Sequence, residues 1–182
     1  MLLFLQPIDG YGYQKHCSDA PEILVLSDTN NRTQVICAGA SAALEFLERF
    51  GLKPKQQITI EIVTEPIIAY GYDAYGSYNR AEELITLMSY QSIQSTSREP
   101  QMYDQPFDLE HYRGAIAHEV AHAVFHHNSS NVKDQLTNAT QEYLAHATQL
   151  AVLSEERRRK IINDHDVGPW ESGDLISEVY MG

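Results

Sequence analysis

Short apolar runs divided by polar turns dominate the first half of the chain. Residues 22–26 (EILVL) and 33–37 (TQVIC) predict two strands, with Ser27-Asp28-Thr29-Asn30-Asn31 between them as turn chemistry. From 41 to 50 (SAALEFLERF) the apolar positions recur at helical spacing, and Gly51 stands where a C-terminal cap belongs. Residues 58–63 (ITIEIV) alternate and are β-branched, and 84–89 (LITLMS) is a second such run, so both predict strands. Between them lies a Tyr- and Gly-rich stretch, 70–78 (YGYDAYGSY). Its tyrosines either line a cleft or are half-buried strand residues. Residues 91–101 are polar and loop-like.

The second half changes period. Asp108 can cap a helix over about 109–127, and Thr137 or Asn138 can start another that runs to about 162. Residues 164–170 (DHDVGPW) end it, with Gly168-Pro169 as a stop signal. Strands first and helices after predict an α+β fold. The expected organisation is one domain over 1–182: mainly strands plus one helix in 1–107, two helices in 108–163, and a tail over 164–182.

A chain of 182 residues is long enough to bury a full core without a disulfide scaffold. Lys plus Arg number 13 against 25 Asp plus Glu, for a net charge of −12. That balance argues against nucleic acid and anionic membranes as partners, because too few cations are present to neutralise phosphates. No apolar run approaches the roughly 18 residues of a membrane helix, and the start lacks the parts of a secretory signal. The chain is therefore read as cytosolic, or as a mature form whose signal has been removed. Cys17 and Cys37 bear on this choice. As a disulfide, favoured because both lie in the same early segment, they place the chain in a secreted or periplasmic setting. As two buried thiols they place it in the cytoplasm. Their spacing does not suit a zinc site of paired thiolates.

The chemistry concentrates in Ala117-His118-Glu119-Val120-Ala121-His122-Ala123. Residues four apart share one face of a helix, so His118 and His122 can present two imidazoles to one metal ion. Glu119 projects about 100° away from His118, near the ion without being forced onto it, which suits a base acting on water. The helix is otherwise apolar and built of small residues, so buried polar groups on it demand partners, and a metal supplies one. A catalytic zinc takes three protein ligands and leaves a fourth position open, so a third ligand is expected from the next helix. His126 and His127 read as the helix end, where imidazole interacts well with the helix dipole, and His111 reads as a surface residue.

Glu142 lies 20 positions after His122 on that next helix. With it the sequence resembles the gluzincin metallopeptidases, in which His-Glu-x-x-His is followed by a glutamate on the next helix. The spacing is similar to that of thermolysin-like enzymes, and the Glu142-to-Ala145 pattern to the zinc aminopeptidases and small one-domain gluzincins. The resemblance spans about residues 58–163 and implies a zincin-like fold: a small mixed or antiparallel sheet, an active-site helix and a following glutamate helix. It implies one zinc ion held by His118, His122 and Glu142, with Glu119 as general base and acid, and an edge strand within 76–87 lining the cleft. Related enzymes stabilise the oxyanion with a Tyr or His after the ligand Glu; His165, Tyr180 and Tyr143 are the candidates here. The pattern departs at Gln141, where many relatives have Asn, and at His146, where thermolysin-like enzymes have an Asp that orients a ligand histidine.

The expected function is a zinc-dependent metallohydrolase, a peptidase acting on peptides or proteins through water activated with the help of Glu119. The rival is a non-catalytic zincin-like metal-binding or interaction domain, closed by a fourth ligand from His126, His146 or the C-terminal stretch. A third reading is self-inhibition, in which the acidic tail of 171–182 or a Cys17 thiolate fills the open position.

Overall fold

The computed structural model of the chain describes residues 12–28, 32–69, 72–96, 98–129 and 138–164. Its main sheet has five strands: β1 (Tyr13–Cys17), β2 (Ala20–Ser27), β3 (Ile58–Val63), β7 (Leu84–Met88) and β6 (Gly76–Asn79), in that spatial order. β2, β3 and β7 run parallel, while β1 and β6 are antiparallel edges, so the sheet is mixed. Register aligns Val25, Ile60 and Ile85 in one row across the centre, and all three are fully buried. β-branched side chains favour such a pleated, covered surface. Two small hairpins complete the strands: β4 (Ile67–Ala69) with β5 (Tyr72–Ala74), and β8 (Gln101–Met102) with β9 (Gln105–Pro106).

Among the described residues five helices accompany the sheet: α1 (Thr33–Glu48), α2 (Tyr90–Gln94), α3 (Leu109–Ser129), α4 (Asn138–Ala151) and α5 (Glu155–Asp164). The architecture is α+β. No helix among the described residues is long and apolar enough to cross a membrane.

The stretch 33–37 is not a strand, and the first helix starts eight residues earlier than its apolar pattern predicts. The β-branched run is overridden because Ile36, Ala40, Ala43 and Leu47 are buried at steps of three and four, the helical period. The expected cap does appear. Gly51 takes φ 75°, Leu52 N–H donates to Leu47 O and Gly51 N–H to Glu48 O, a Schellman closure.

α3 is the central helix, with small residues where it crosses its neighbours. A Cβ on Gly39 of α1 would sit 2.9 Å from the Arg113 carbonyl oxygen of α3. A Cβ on Gly114 would meet Gln149 and Leu153 at 3.2 Å. α3 begins where Asp108 accepts hydrogen bonds from Glu110 N–H and His111 N–H, both at 3.0 Å. His111 is fully buried rather than a surface residue. Its Nδ1 meets Pro106 O at 3.0 Å, and its ring packs on Phe107. The long second helix expected to reach 162 is two helices. Ser154 breaks it: its N–H donates to Glu110 at 2.6 Å and its hydroxyl caps α5 through Arg157 N–H. Arg157 then clamps Asp108 at 2.6 Å, tying the start of α5 to the start of α3.

Cys17 and Cys37 form a disulfide that joins the end of β1 to α1. This closes the buried-thiol reading, and it removes Cys17 as a thiolate ligand for any metal.

Two stability tests follow from this packing. Gly39→Val forces α1 away from the Arg113 carbonyl and lowers stability by about 1–3 kcal/mol, read as a lower urea midpoint; an unchanged midpoint would show that the two helices are not in close contact. Replacing both cysteines by serine removes a cross-link across 20 residues and costs about 3 kcal/mol, seen as a lower Tm that added reductant no longer changes.

Candidate metal centre

α3 has to carry His118, Glu119 and His122 through an apolar environment of Ile116, Ala117, Val120, Ala121 and Val124. Desolvation makes these side chains seek one another and their neighbours. His118 Nε2 and His122 Nε2 lie 3.1 Å apart, and the carboxylate of Glu142 on α4 straddles them, with Oε2 3.4 Å from His118 and Oε1 3.5 Å from His122.

Those three separations bear on metal binding. Ligands held tetrahedrally at zinc bond lengths of about 2.0–2.1 Å stand about 3.3–3.4 Å from one another. In the metal-free chain the cluster is held by a hydrogen bond between the two imidazoles and by bonds from both to Glu142. Two imidazole nitrogens and a carboxylate are also the donor types that zinc takes. The residues therefore fit a zinc ion.

His118 is oriented from outside. Its Nδ1 lies 3.0 Å from Gln149 Oε1, so the ring donates there and its Nε2 faces the cluster. Gln149 is buried on α4. The position four after Glu142, an aspartate in thermolysin-like enzymes, is His146, and its ring centroid is 4.8 Å from that of His118. Its Nδ1 lies 3.1 Å from the hydroxyl of Tyr103. Gln149 also hydrogen-bonds His146. His118, Glu142 and His146 offer ligand atoms that all lie within 4.8 Å of one another, a second set that could hold a metal ion.

Glu119 is 8% exposed and faces β6. The Tyr78 backbone N–H hydrogen-bonds its carboxylate. A Cβ on Gly76 would meet its Cγ at 2.9 Å, so glycine is what lets the strand lie against this carboxylate. β6 is the sheet edge, and on its far side no strand pairs with it among the described residues.

The charges follow from this packing. Burial pushes the Glu119 carboxyl above its ordinary value, and the charges of His118 and His122 only partly pull it back. Burial opposes charge on His118, but the hydrogen bond to Glu142 and the charges of Glu119 and Glu142 carry it above 6.5 in the metal-free chain. Burial also raises Glu142, yet the bonds from both histidines hold it well below the carboxylate range. Burial and the neighbouring His118 charge push His146 down to about 4.

The remaining candidates separate from the cluster. His165 and Tyr180 lie outside the described residues, as does the acidic tail of 171–182. Tyr143 is 44% exposed. His126 and His127 lie in the last turn of α3, at the helix end as expected. His126 Nδ1 meets the Tyr78 hydroxyl at 2.7 Å, and buried His127 accepts from Lys55 N–H. Of the tyrosine stretch, Tyr75 at the bend between β5 and β6 donates to Gln101 O, and Tyr78 on β6 bonds His126 beside the site.

Sequence reasoning missed Gln149 and Tyr103, and took Gly76 only as part of the expected edge strand. Gln149 had a readable signal: Glu142, His146 and Gln149 step by four and three, a polar stripe on one face of α4. Tyr103 had none. It sits with Asp104 in the two-residue turn between β8 and β9, both at positive φ of 53° and 54°, a conformation normally signalled by Asn-Gly.

A family model described as Family of unknown function (DUF6639) matches residues 23–182. No curated protein and no solved structure matches the chain.

A zinc ion bound by His118 would have to displace a proton that the bond to Glu142 makes harder to remove in the metal-free chain. Below the His118 pKa the apparent zinc affinity falls about tenfold per pH unit, and above it the affinity levels off. Chelator competition from about pH 8 to about pH 6 measures this slope; a flat profile would mean that zinc does not use His118.

Proposed function

The chain belongs to DUF6639, a family of unknown function, and we propose that it is a zinc-dependent metallohydrolase of gluzincin type, with a zincin-like arrangement of sheet, active-site helix and glutamate helix, whose substrates are peptides. The observation that carries this reading is the convergence of His118, His122 and Glu142 at 3.1–3.5 Å with buried Glu119 one residue along the same helix.

His118, His122 and Glu142 would hold the ion. Bound zinc supplies Lewis acidity, polarising a carbonyl and bringing the pKa of water towards about 7. Glu119 handles the proton. Its carboxyl, raised by burial, takes a proton from the attacking water and delivers it to the amine nitrogen as the C–N bond breaks. The Tyr78 N–H and the bare Cα of Gly76 fix where that carboxylate sits. The open side of β6 suits an extended peptide, which adds to a sheet edge through backbone hydrogen bonds and so arrives beside Glu119. The Cys17–Cys37 disulfide suits work in an oxidising compartment.

A second reading has its own support. His146 lies close enough to His118 and Glu142 to complete a closed centre of four protein ligands, which would make the metal structural and the chain a binding module.

Glu119→Gln separates the two. In the peptidase reading the variant keeps its zinc and loses turnover by about 10³-fold or more against a peptide library. Unchanged hydrolysis would remove Glu119 from the mechanism, and wild-type protein that holds zinc yet cleaves nothing would favour the closed centre.

A further inference from the structure

A second polar cluster lies where the starts of α3 and α5 meet the β8–β9 hairpin, and the proposed chemistry makes no use of it. Arg157 of α5 is its hub. On one side its guanidinium donates to Asp108 at 2.6 Å and lies 3.3 Å from Glu110. On the other, one nitrogen stands 3.4 Å from both Gln105 Oε1 and His111 Nε2. We propose that the contact between Arg157 and His111 is an acid-released latch: proton uptake by His111 expels the guanidinium and frees the start of α5 and the base of the hairpin. The inference goes beyond the peptidase reading and does not depend on it.

Three observations carry it. First, the partners of the ring fix its protonation. Nδ1 lies 3.0 Å from the Pro106 carbonyl oxygen, which only accepts, so Nδ1 carries the hydrogen. Nε2 faces a guanidinium nitrogen, which only donates, so Nε2 must offer a lone pair. One neutral tautomer satisfies both contacts. A second proton, on Nε2, would set donor against donor and cation against cation. Second, the ring has no water to turn to, since His111 is fully buried and packs on Phe107. The charged groups acting on it among the described residues are Arg157 of α5, Asp108 at the head of α3 and Glu110 within α3. The two carboxylates favour a charged ring. Asp108 Oδ1, however, is 3.8 Å from Nδ1 on a side chain 46% exposed, and both carboxylates are already engaged by Arg157. Burial, helped by Arg157, outweighs them and the bond to Pro106, and holds the imidazole below its ordinary 6.5. Third, the latch holds more than α5. Gln105 is buried, and its amide nitrogen has no hydrogen-bond partner among the described residues, so Arg157 at its oxygen is what anchors it. Without the guanidinium the whole amide would be buried unpaired, which favours movement of the hairpin base. The same hairpin brings Met102 Sδ within 2.8 Å of Gln149 and the Tyr103 hydroxyl within 3.1 Å of His146, so release at its base reaches the residues around the metal centre.

The closed ring takes up a proton less readily than an open one, whose pKa is about 6.5. The latch is therefore at full strength above about pH 6.5, and the closed-to-open ratio falls by up to about tenfold per pH unit below it, until the lowered pKa of the closed state is passed.

The test uses the full chain without metal. α5 contains Arg157-Arg158-Arg159-Lys160, a run of trypsin sites. Cleavage there is followed from about pH 8 to about pH 5. Each rate is divided by that of a free peptide of residues 154–164, which removes the pH dependence of trypsin itself. In the wild type the ratio is expected to be constant above about pH 6.5 and to rise by up to about tenfold per unit below it. In His111→Gln, whose amide accepts from Arg157 at every pH, the ratio stays flat through that range. Histidine NMR of the wild type is expected to show His111 as the Nδ1–H tautomer at neutral pH, titrating below about 6.5, and Arg157→Gln raises that pKa. A flat wild-type ratio, or the same rise in His111→Gln, overturns the latch. So does a wild-type His111 that is charged at neutral pH or titrates at about 6.5 or above. The NMR titration needs no variant, so the result does not depend on how well a substituted chain folds. Zinc uptake and peptide cleavage enter none of these readings, so the peptidase reading stands or falls separately.

Discussion

Two imidazoles and a carboxylate carried through an apolar layer on one helix impose the constraint to which the rest of the structure answers. Taken out of water alone, each would cost several kcal/mol or change its charge. α4 answers with Glu142 against both histidines, Gln149 against the outer nitrogen of His118, and His146 alongside. β6 answers from the other side, with a backbone N–H on Glu119 and a glycine where a side chain would collide with it. The polar cluster is satisfied only if helix, helix and strand are all in register.

That register depends on close approach. Gly39 and Gly114 bring α1 and α4 onto α3 at distances that larger residues forbid. The Asp108–Arg157 and Glu110–Ser154 contacts then pin the start of α3 to the segment that follows α4. α4 is thus fixed at its middle by packing and at its far end by charge, and a carboxylate on its first turns can face a specific pair of imidazoles. The sheet contributes a rigid backing, through the buried row of Val25, Ile60 and Ile85, and the β6 edge, which no strand pairs among the described residues.

What could be read in advance was local. The four-residue step from His118 to His122, the Asp108 cap, Gly51 as the closure of α1 and the alternating runs 58–63 and 84–88 are each written in a few consecutive residues. What could not be read depends on contacts distant in sequence. The run TQVIC has strand-like residues but folds as helix, because α3 offers a face to Ile36 and Gly39. His111 looks like a surface residue until Pro106 and Phe107 cover it. The break at Ser154 needs Glu110, 44 residues away, to be seen. Tyr103 carries no turn signal at all, since its conformation is set by where the hairpin docks.

The link between Cys17 and Cys37 reaches further than its place at the sheet margin suggests. It fastens α1, and α1 lies directly against the helix that bears the histidines. Chains in which this bond is open would differ from chains in which it is closed beneath the centre itself, with a looser foundation under the histidines. Two laboratories comparing metal content or turnover would therefore be comparing like with like only if the thiol state of their samples had been matched.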